Sequence, residues 1–290
     1  MKIKNVAFIG LGVMGYPMAG FLKKNNYNVT VYNRSESKSL MWVKEHQGNI
    51  AYTSGKAATN SDVIFICVGK DEDLKNVMEG PNGVLENSKK NTIIVDHTTA
   101  SAEIAREYYE KAKKFNLAFL DAPISGGQAG AEKGILSIMV GGDKATFDIV
   151  EPVLRSYGKT IELIGKAGSG QLSKMINQIC IAGLVQGLSE AMAFGKKANL
   201  DMEKVLKVIS KGAAQSWQME NRYRTMLDGK FNFGFAVDWM RKDLSICFNE
   251  SKKNGANLPI TKIIDNYYSE VQKNGGNRFD TSSLMTLVDK

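Results

Sequence analysis

The sequence predicts an α/β half built on a mostly parallel sheet, followed by an all-helical half, the two joined by one long helix. Three observations carry that expectation. Compact apolar runs recur up to residue 164 without alternating with polar residues, as strands covered on both faces require. Helix-like stretches such as residues 102–115 stand between several of them, the rhythm of a parallel sheet with crossover helices. From residue 172 to 194 the chain is apolar on almost every face, as a buried helix is, and no strand pattern follows Gly195. The expected division is an α/β domain over 1–164 and a helical domain over 165–290.

Composition bounds the answer. At 290 residues, 43% hydrophobic and 23% charged, the chain suits a soluble globular protein with ample core. No apolar run reaches the ~18 residues of a membrane span. The opening Met1-Lys2-Ile3-Lys4-Asn5 runs at once into a strand, so no signal peptide is expected. Cys67, Cys180 and Cys247 are widely spaced in apolar surroundings and read as reduced packing residues, which favours the cytoplasm. His46 and His97 give no metal-site spacing, so no metal is expected. The net charge of +8 is spread along the chain without a dense basic block, which argues against nucleic acid. An anionic cofactor or substrate accounts for it, and so does solubility alone.

The first strand, residues 5–9, runs into Gly10-Leu11-Gly12-Val13-Met14-Gly15 and then a helical pattern. This is the dinucleotide fingerprint of a Rossmann-type domain. Gly10 permits the tight turn, Gly12 lets a pyrophosphate approach the backbone, and Gly15 lets helix and strand pack closely. The phosphates would rest on N–H groups of the Gly10–Gly15 turn at the helix start, those of Leu11, Val13 and Met14 included. The second strand, residues 27–32, ends in Asn33-Arg34-Ser35, where an acid would hold the ribose hydroxyls of NAD. No acid stands there. Arg34, helped by Ser35, suits a 2′-phosphate instead, so NADP is expected over NAD.

Further strands are expected at 62–68, 91–96 and 118–121. Ligands of such sheets bind beyond the strands' carboxyl ends, so the loops that begin at Val68, His97-Thr98-Thr99 and Ala122-Pro123 should face the cofactor. In the loop 121–131, Ser125-Gly126-Gly127 offers consecutive N–H groups and one hydroxyl. It reads either as a nest for a carboxylate or as a flexible turn before a strand at 135–140. A helix over 144–157 and a strand at 161–164 lead to Gly168-Ser169-Gly170-Gln171 and the long helix. There Gln171, Lys174, Asn177 and Gln178 share one face. A lysine on a buried face is costly, and burial moves its pKa toward the range where it trades protons. The alternative is that Lys174 snorkels to solvent from the helix start. Farther on, Asp201 caps a helix through 211, Pro259 opens another that ends near Asn274-Gly275-Gly276, and Asp280 caps a final short one.

With these residues placed, the chain resembles the β-hydroxyacid dehydrogenase family over essentially its whole length. That family includes 3-hydroxyisobutyrate dehydrogenase, tartronate semialdehyde reductase and the glyoxylate/succinic semialdehyde reductases. Four motifs carry the resemblance in order: residues 8–19; Asp121 through Gly127; Gly168-Ser169-Gly170 through Lys174 to Asn177; and Lys242-Asp243-Leu244 with Phe235 seven residues earlier. The resemblance implies that Lys174 is the catalytic lysine and Asn177 its accompanying amide, and that Ser125, Gly126 and Gly127 hold the substrate carboxylate. It implies that Thr98 lies near the nicotinamide and that Phe235 and Lys242 close over the cofactor. It also associates an Asn-Arg pair after the second strand with NADP. Asp238-Trp239, and Trp217 with Asn221 and Arg222, depart from the relatives' pattern and bear on the substrate.

The expected activity is reversible hydride transfer between nicotinamide and a short hydroxy or oxo acid, with Lys174 as general acid and base. A small semialdehyde, glyoxylate or 3-hydroxyisobutyrate would serve as substrate, and a homodimer or homotetramer is expected from the family's habit and the apolar helix. Two alternatives stand beside it. A catalytically silent binding protein of the same fold should lack the proton donor or the glycine loop, and both are here. An imine reductase of similar architecture is expected to lack lysine at the Lys174 position.

Overall fold

Along β1 (Asn5–Ile9) the side chains feed two different cores, Val6 and Phe8 on one side, Ala7 and Ile9 on the other. That is why residues 6–9 are apolar without a break. The computed structural model describes residues 2–289; Met1, where the opening segment begins, and Lys290 lie outside the described residues. The chain forms two compact units, the first ending at Lys174 and the second beginning at Met175.

The first unit continues with α1 (Gly15–Lys24), β2 (Asn28–Tyr32), α2 (Glu36–His46), β3 (Asn49–Ile50), α3 (Ser54–Ala58), β4 (Val63–Ile66), α4 (Asp71–Met78) and α5 (Val84–Asn87). After these come β5 (Ile93–Asp96), α6 (Ala102–Lys114), β6 (Ala118–Asp121), β7 (Ile124–Ser125), α7 (Gly127–Lys133), β8 (Leu136–Gly141), α8 (Lys144–Leu154) and β9 (Gly158–Gly165). Among the described residues one sheet holds all nine strands in the order β3-β2-β1-β4-β5-β6-β8-β7, with β9 on β8. β1 to β6 are parallel, β8 runs antiparallel to both β6 and β7, and β9 is parallel to β8. The strand order reverses between β1 and β4, the switch point where doubly wound sheets bind ligands.

The expected mostly parallel sheet is present, with differences at its margins. The two-residue β3 and β7 are too short to leave a hydrophobic period. α8 stops at Leu154, short of the expected 157, and β9 starts at Gly158, ahead of the expected 161. Among the described residues β9 pairs only with β8, so polar Lys159 and Glu162 are tolerated on an open edge and mask the strand in the sequence.

α9 (Ser169–Lys197) spans the border between the units. The second unit adds α10 (Met202–Ile209), α11 (Trp217–Leu227), α12 (Val237–Asn254), α13 (Pro259–Val271), a π turn at Gln272–Gly276, a 3-10 turn at Thr281–Leu284, and α14 (Met285–Val288). Asp201, Ser216 and Asp280 each accept a backbone N–H at the start of a helical segment, and Pro259 opens α13. Ala182 and Val185 of α9 pack with Val237, Met240 and Leu244 of α12 and Tyr268 of α13. Leu188 and Met192 pack with Met202, Leu206, Met219 and Met226 of α10 and α11. α9 is not buried all round, however: Ile176, Leu184 and Phe194 are exposed, and so is Cys180, contrary to its expected role in packing. Among the described residues no helix is long and apolar enough to cross a membrane.

Candidate active site

The turn after β1 tests the three glycines one by one. Gly10 has φ +98°, and a side chain there would meet the Cys67 carbonyl oxygen at 2.2 Å. At Gly15 a Cβ would lie 2.0 Å from the Gly10 carbonyl oxygen. At Gly12 it would meet nothing within 4 Å. Two glycines are thus required by the protein's own packing, and the third leaves an open face beside backbone at a helix start. A diphosphate group fits that opening. Val13 stands exposed on the turn, while Met14 packs partly against the core. The turn is stapled to the end of β2: Gly10 N–H donates to the Tyr32 carbonyl (2.8 Å), and Leu11 N–H donates to Asn33 Oδ1 (2.9 Å). Asn33 Nδ2 donates in turn to the Ser35 carbonyl (3.0 Å). Asn33 therefore shapes the turn, a role the sequence did not reveal. Arg34 is exposed, with Nη1 3.4 Å from Asp73 Oδ1, and the Ser35 hydroxyl makes no capping bond to α2.

The loops after β4, β5 and β6 are tied together. Val68 N–H donates to Thr98 Oγ1 (3.1 Å), and Thr98 N–H donates to Asp96 Oδ1 (2.9 Å). His97 is fully buried, its Nδ1 2.6 Å from the Ala122 carbonyl and its Nε2 2.8 Å from the Tyr157 hydroxyl. A carbonyl only accepts, so Nδ1 carries the hydrogen and Nε2 accepts from the tyrosine. Burial holds this imidazole neutral by lowering its pKa to about 4, and burial likewise raises the Tyr157 phenol, keeping it a donor. Asp96 beside it is raised to about 7, first by burial, with the Asp121 charge adding and the Thr98 donors opposing. Among the described residues its buried Oδ2 has no hydrogen-bond partner.

Asp121 stands next to Asp96 on the adjacent strand. Its carboxylate accepts the Gly168 N–H (2.7 Å) and the Gln171 N–H (2.9 Å), capping the start of α9. Burial raises its pKa against the pull of those donors. Gly141 and Gly170 leave it room, since a Cβ at either would come within 2.5 or 2.9 Å of a carboxylate oxygen. Gln171 is 0% exposed: its Nε2 donates to the Thr98 carbonyl (2.7 Å) and its Oε1 accepts the Ala100 N–H (3.1 Å). One turn on, Lys174 is 8% exposed, which excludes the snorkelling alternative.

Ser125-Gly126-Gly127 forms a defined strand-to-helix turn: Ser125 pairs with Ser137 of β8, and Gly127 begins α7. Gly126 has φ +130° and Gly127 φ +62°, backbone that favours glycine, and a Cβ at Gly127 would meet nothing within 4 Å. The loop is therefore a shaped turn with an open side.

The second unit holds its own polar ladder. Asn177 Nδ2 donates to Gln178 Oε1 (2.8 Å), and Gln178 Nε2 donates to Asp243 Oδ2 (2.6 Å). Lys242 Nζ lies 2.8 Å from Asp243 Oδ1, a close ion pair without the alignment of a hydrogen bond. Because a carboxylate only accepts, Asp243 fixes the polarity of both amides. Phe235 is held through its backbone: its N–H donates to Asp280 Oδ2 (2.9 Å), and its carbonyl accepts the Thr281 N–H (2.9 Å). Arg222 pairs with the same Asp280 (3.1 Å) and lies over the rings of Trp217 and Phe233. Among the described residues no group of three or more His, Cys, Asp or Glu is placed to hold a metal.

A glycine turn with one open side at the switch point of a doubly wound sheet defines a dinucleotide-binding protein of the Rossmann class. Residues 5–165 match the family model of the NAD binding domain of 6-phosphogluconate dehydrogenase. Residues 168–288 match that of the NAD-binding region of NADP-dependent 3-hydroxyisobutyrate dehydrogenase. An uncharacterized oxidoreductase of Shewanella frigidimarina is 56% identical over 98% of each chain, and a 2-hydroxy-3-oxopropionate reductase of Escherichia coli is 34% identical over 98% of this chain and 97% of its own. The solved structure of Mycobacterium tuberculosis 3-hydroxyisobutyrate dehydrogenase with L-serine is 25% identical, with a TM-score of 0.88 over 100% of both chains. The chain belongs to the β-hydroxyacid dehydrogenase family and is an NAD(P)-dependent hydroxyacid dehydrogenase or reductase.

Proposed function

We propose that this chain reduces a short oxo acid or semialdehyde, and oxidises the matching hydroxy acid in reverse, with Lys174 as the proton donor and acceptor. The observation that carries the reading is a buried lysine, 8% exposed, one turn beyond a glutamine bonded to the Thr98 loop, which is tied in turn to Val68 after β4. The nicotinamide, when bound, supplies or takes up the hydride. Lys174 gives a proton to the substrate oxygen as the carbonyl becomes a hydroxyl, and takes it back in oxidation. Ser125, Gly126 and Gly127 anchor the substrate carboxylate and so fix its distance from the reacting carbon, and the open side of Gly127 supports this. Asn177 orients the substrate oxygen or the lysine, its amide polarity set by Gln178 and Asp243. Val68 and Thr98 line the nicotinamide side, and Phe235 and Lys242 are further cofactor-binding residues in this reading.

NADP is the preferred cofactor in this reading. Among the described residues Arg34 is held only by an exposed, 3.4 Å pair with Asp73, worth little in water, so it is available to a 2′-phosphate with Ser35 beside it. The relatives named as a 2-hydroxy-3-oxopropionate reductase and a 3-hydroxyisobutyrate dehydrogenase support a small hydroxy acid as substrate. Three cysteines, odd in number and widely spaced, support a cytoplasmic location. The exposed Ile176, Leu184 and Phe194 on one helix, with Gly183 and Gly187 open between them, support self-association through α9. The deciding experiment is a panel of C2–C5 oxo acids with NADPH beside the matching hydroxy acids with NADP⁺. The expected result is saturable turnover of at least one small oxo acid, faster with NADPH than NADH. No turnover on any pair, by a protein that binds NADPH, would exclude the reading.

A further inference from the structure

We infer that Gln171 is a positioning residue: its side-chain amide sets the seat of Lys174 against the Thr98 loop. The inference rests on the proposed role of Lys174 as proton donor. Gln171 is 0% exposed and spends its amide on two backbone groups of one loop, donating to the Thr98 carbonyl at 2.7 Å and accepting the Ala100 N–H at 3.1 Å. A carbonyl and an N–H two residues apart are matched by an amide in one orientation only, since one partner accepts and the other donates. The grip is therefore directional. It also reaches the next loop, because Thr98 Oγ1 accepts the Val68 N–H at 3.1 Å.

The same residue is held from behind. Its backbone N–H donates to Asp121 Oδ2 at 2.9 Å, while the Gly168 N–H donates to Oδ1 at 2.7 Å. The first turn of α9 is thus fixed to β6 by a carboxylate and to the loop after β5 by an amide. Lys174 follows Gln171 by three residues and so stands on the same helix face. Any slip of that turn along the loop moves the amine with it, and a misplacement of about 1 Å is enough to lower turnover about 10²-fold.

The test uses a carboxyl in place of the amide. In Gln171→Glu the protonated acid reproduces both bonds, O–H to the Thr98 carbonyl and C=O from the Ala100 N–H. The ionised acid offers only acceptors and repels the carbonyl. With NADPH and oxo acid saturating, the ratio of variant to wild-type kcat should rise at least about tenfold as pH falls from 9 to 5.5. Gln171→Met, which keeps length and burial but neither bond, should lose at least about tenfold in kcat at every pH, with the NADPH Kd within about threefold of wild type. A pH-independent ratio for Gln171→Glu, or a Gln171→Met enzyme whose melting temperature falls while kcat stays within twofold, would overturn the inference and leave Gln171 a packing residue. Lys174→Ala is run in parallel. If that variant keeps wild-type turnover, the proton-donor reading itself fails; if it loses turnover while the Gln171→Glu ratio is pH-independent or Gln171→Met keeps kcat within twofold, only the positioning role does.

Discussion

Asp96 and His97 are consecutive, fully buried and shifted in opposite senses, so their contributions to stability oppose each other across acidic pH. Asp96 is raised from 3.8 to about 7; its contribution is complete below the unfolded value and is lost as pH rises through about 7. His97 is lowered from 6.5 to about 4; its contribution is complete above the unfolded value and is lost as pH falls through about 4. Between about pH 4 and 6.5 each group changes stability by about 1.4 kcal/mol per pH unit, with opposite signs, and the pair nearly cancels. Asp96→Asn removes one side of the balance at similar size. Between pH 4.5 and 6.5 the variant should then gain about 2–3 kcal/mol more stability than wild type does, the slope of His97 acting alone over two pH units. His97→Gln should show the mirror trend, losing stability relative to wild type over the same interval. Urea unfolding of the three proteins at the two pH values measures this. If both variants track wild type within about 0.5 kcal/mol, the assigned protonation states of this buried pair are wrong.

Three further outcomes follow from the geometry. Gly12→Ala should melt like wild type and weaken NADPH about tenfold or more, because its Cβ would enter only the open side, whereas Gly15→Ala should lower the melting temperature through its 2.0 Å conflict with Gly10. Calorimetric NADPH titration beside thermal melts separates the two. Arg34→Ala should lower kcat/KM with NADPH by about 10- to 100-fold and change the NADH value little, as loss of a charged hydrogen bond does; equal losses with both cofactors would refute the 2′-phosphate role. Asp121→Ala should destabilise by about 2 kcal/mol or more, since it leaves two buried N–H groups at the start of α9 without their acceptor, and chemical unfolding is the check.

What was legible in the sequence was local. The three glycines lie within six residues, so their spacing alone carried the turn, and the continuous apolar runs announced strands covered on both faces. Asp201, Pro259 and Asp280 announced helix starts because caps act within one turn. The supports of the site were not legible, because their partners are far away along the chain. His97 meets Tyr157 60 residues later, Asp121 meets Gly168 47 residues later, and Gln171 meets Thr98 73 residues earlier. No periodicity encodes such pairs. The one available signal was polar residues closing apolar strands, Asp96 and Asp121, where a buried carboxylate must find donors. Cys180 was misplaced for a related reason: a helix apolar on every face reads as buried on every face, and nothing local marks which side stays open.

Proton transfer by Lys174 is open to a direct test. Replace the lysine with alanine, saturate the variant with NADPH, and measure kcat on the best oxo acid of the panel. We expect kcat to fall by about 10²–10⁴-fold while the NADPH Kd stays within a few-fold of wild type. Turnover within threefold of wild type by a cofactor-loaded variant would mean that another group moves the proton.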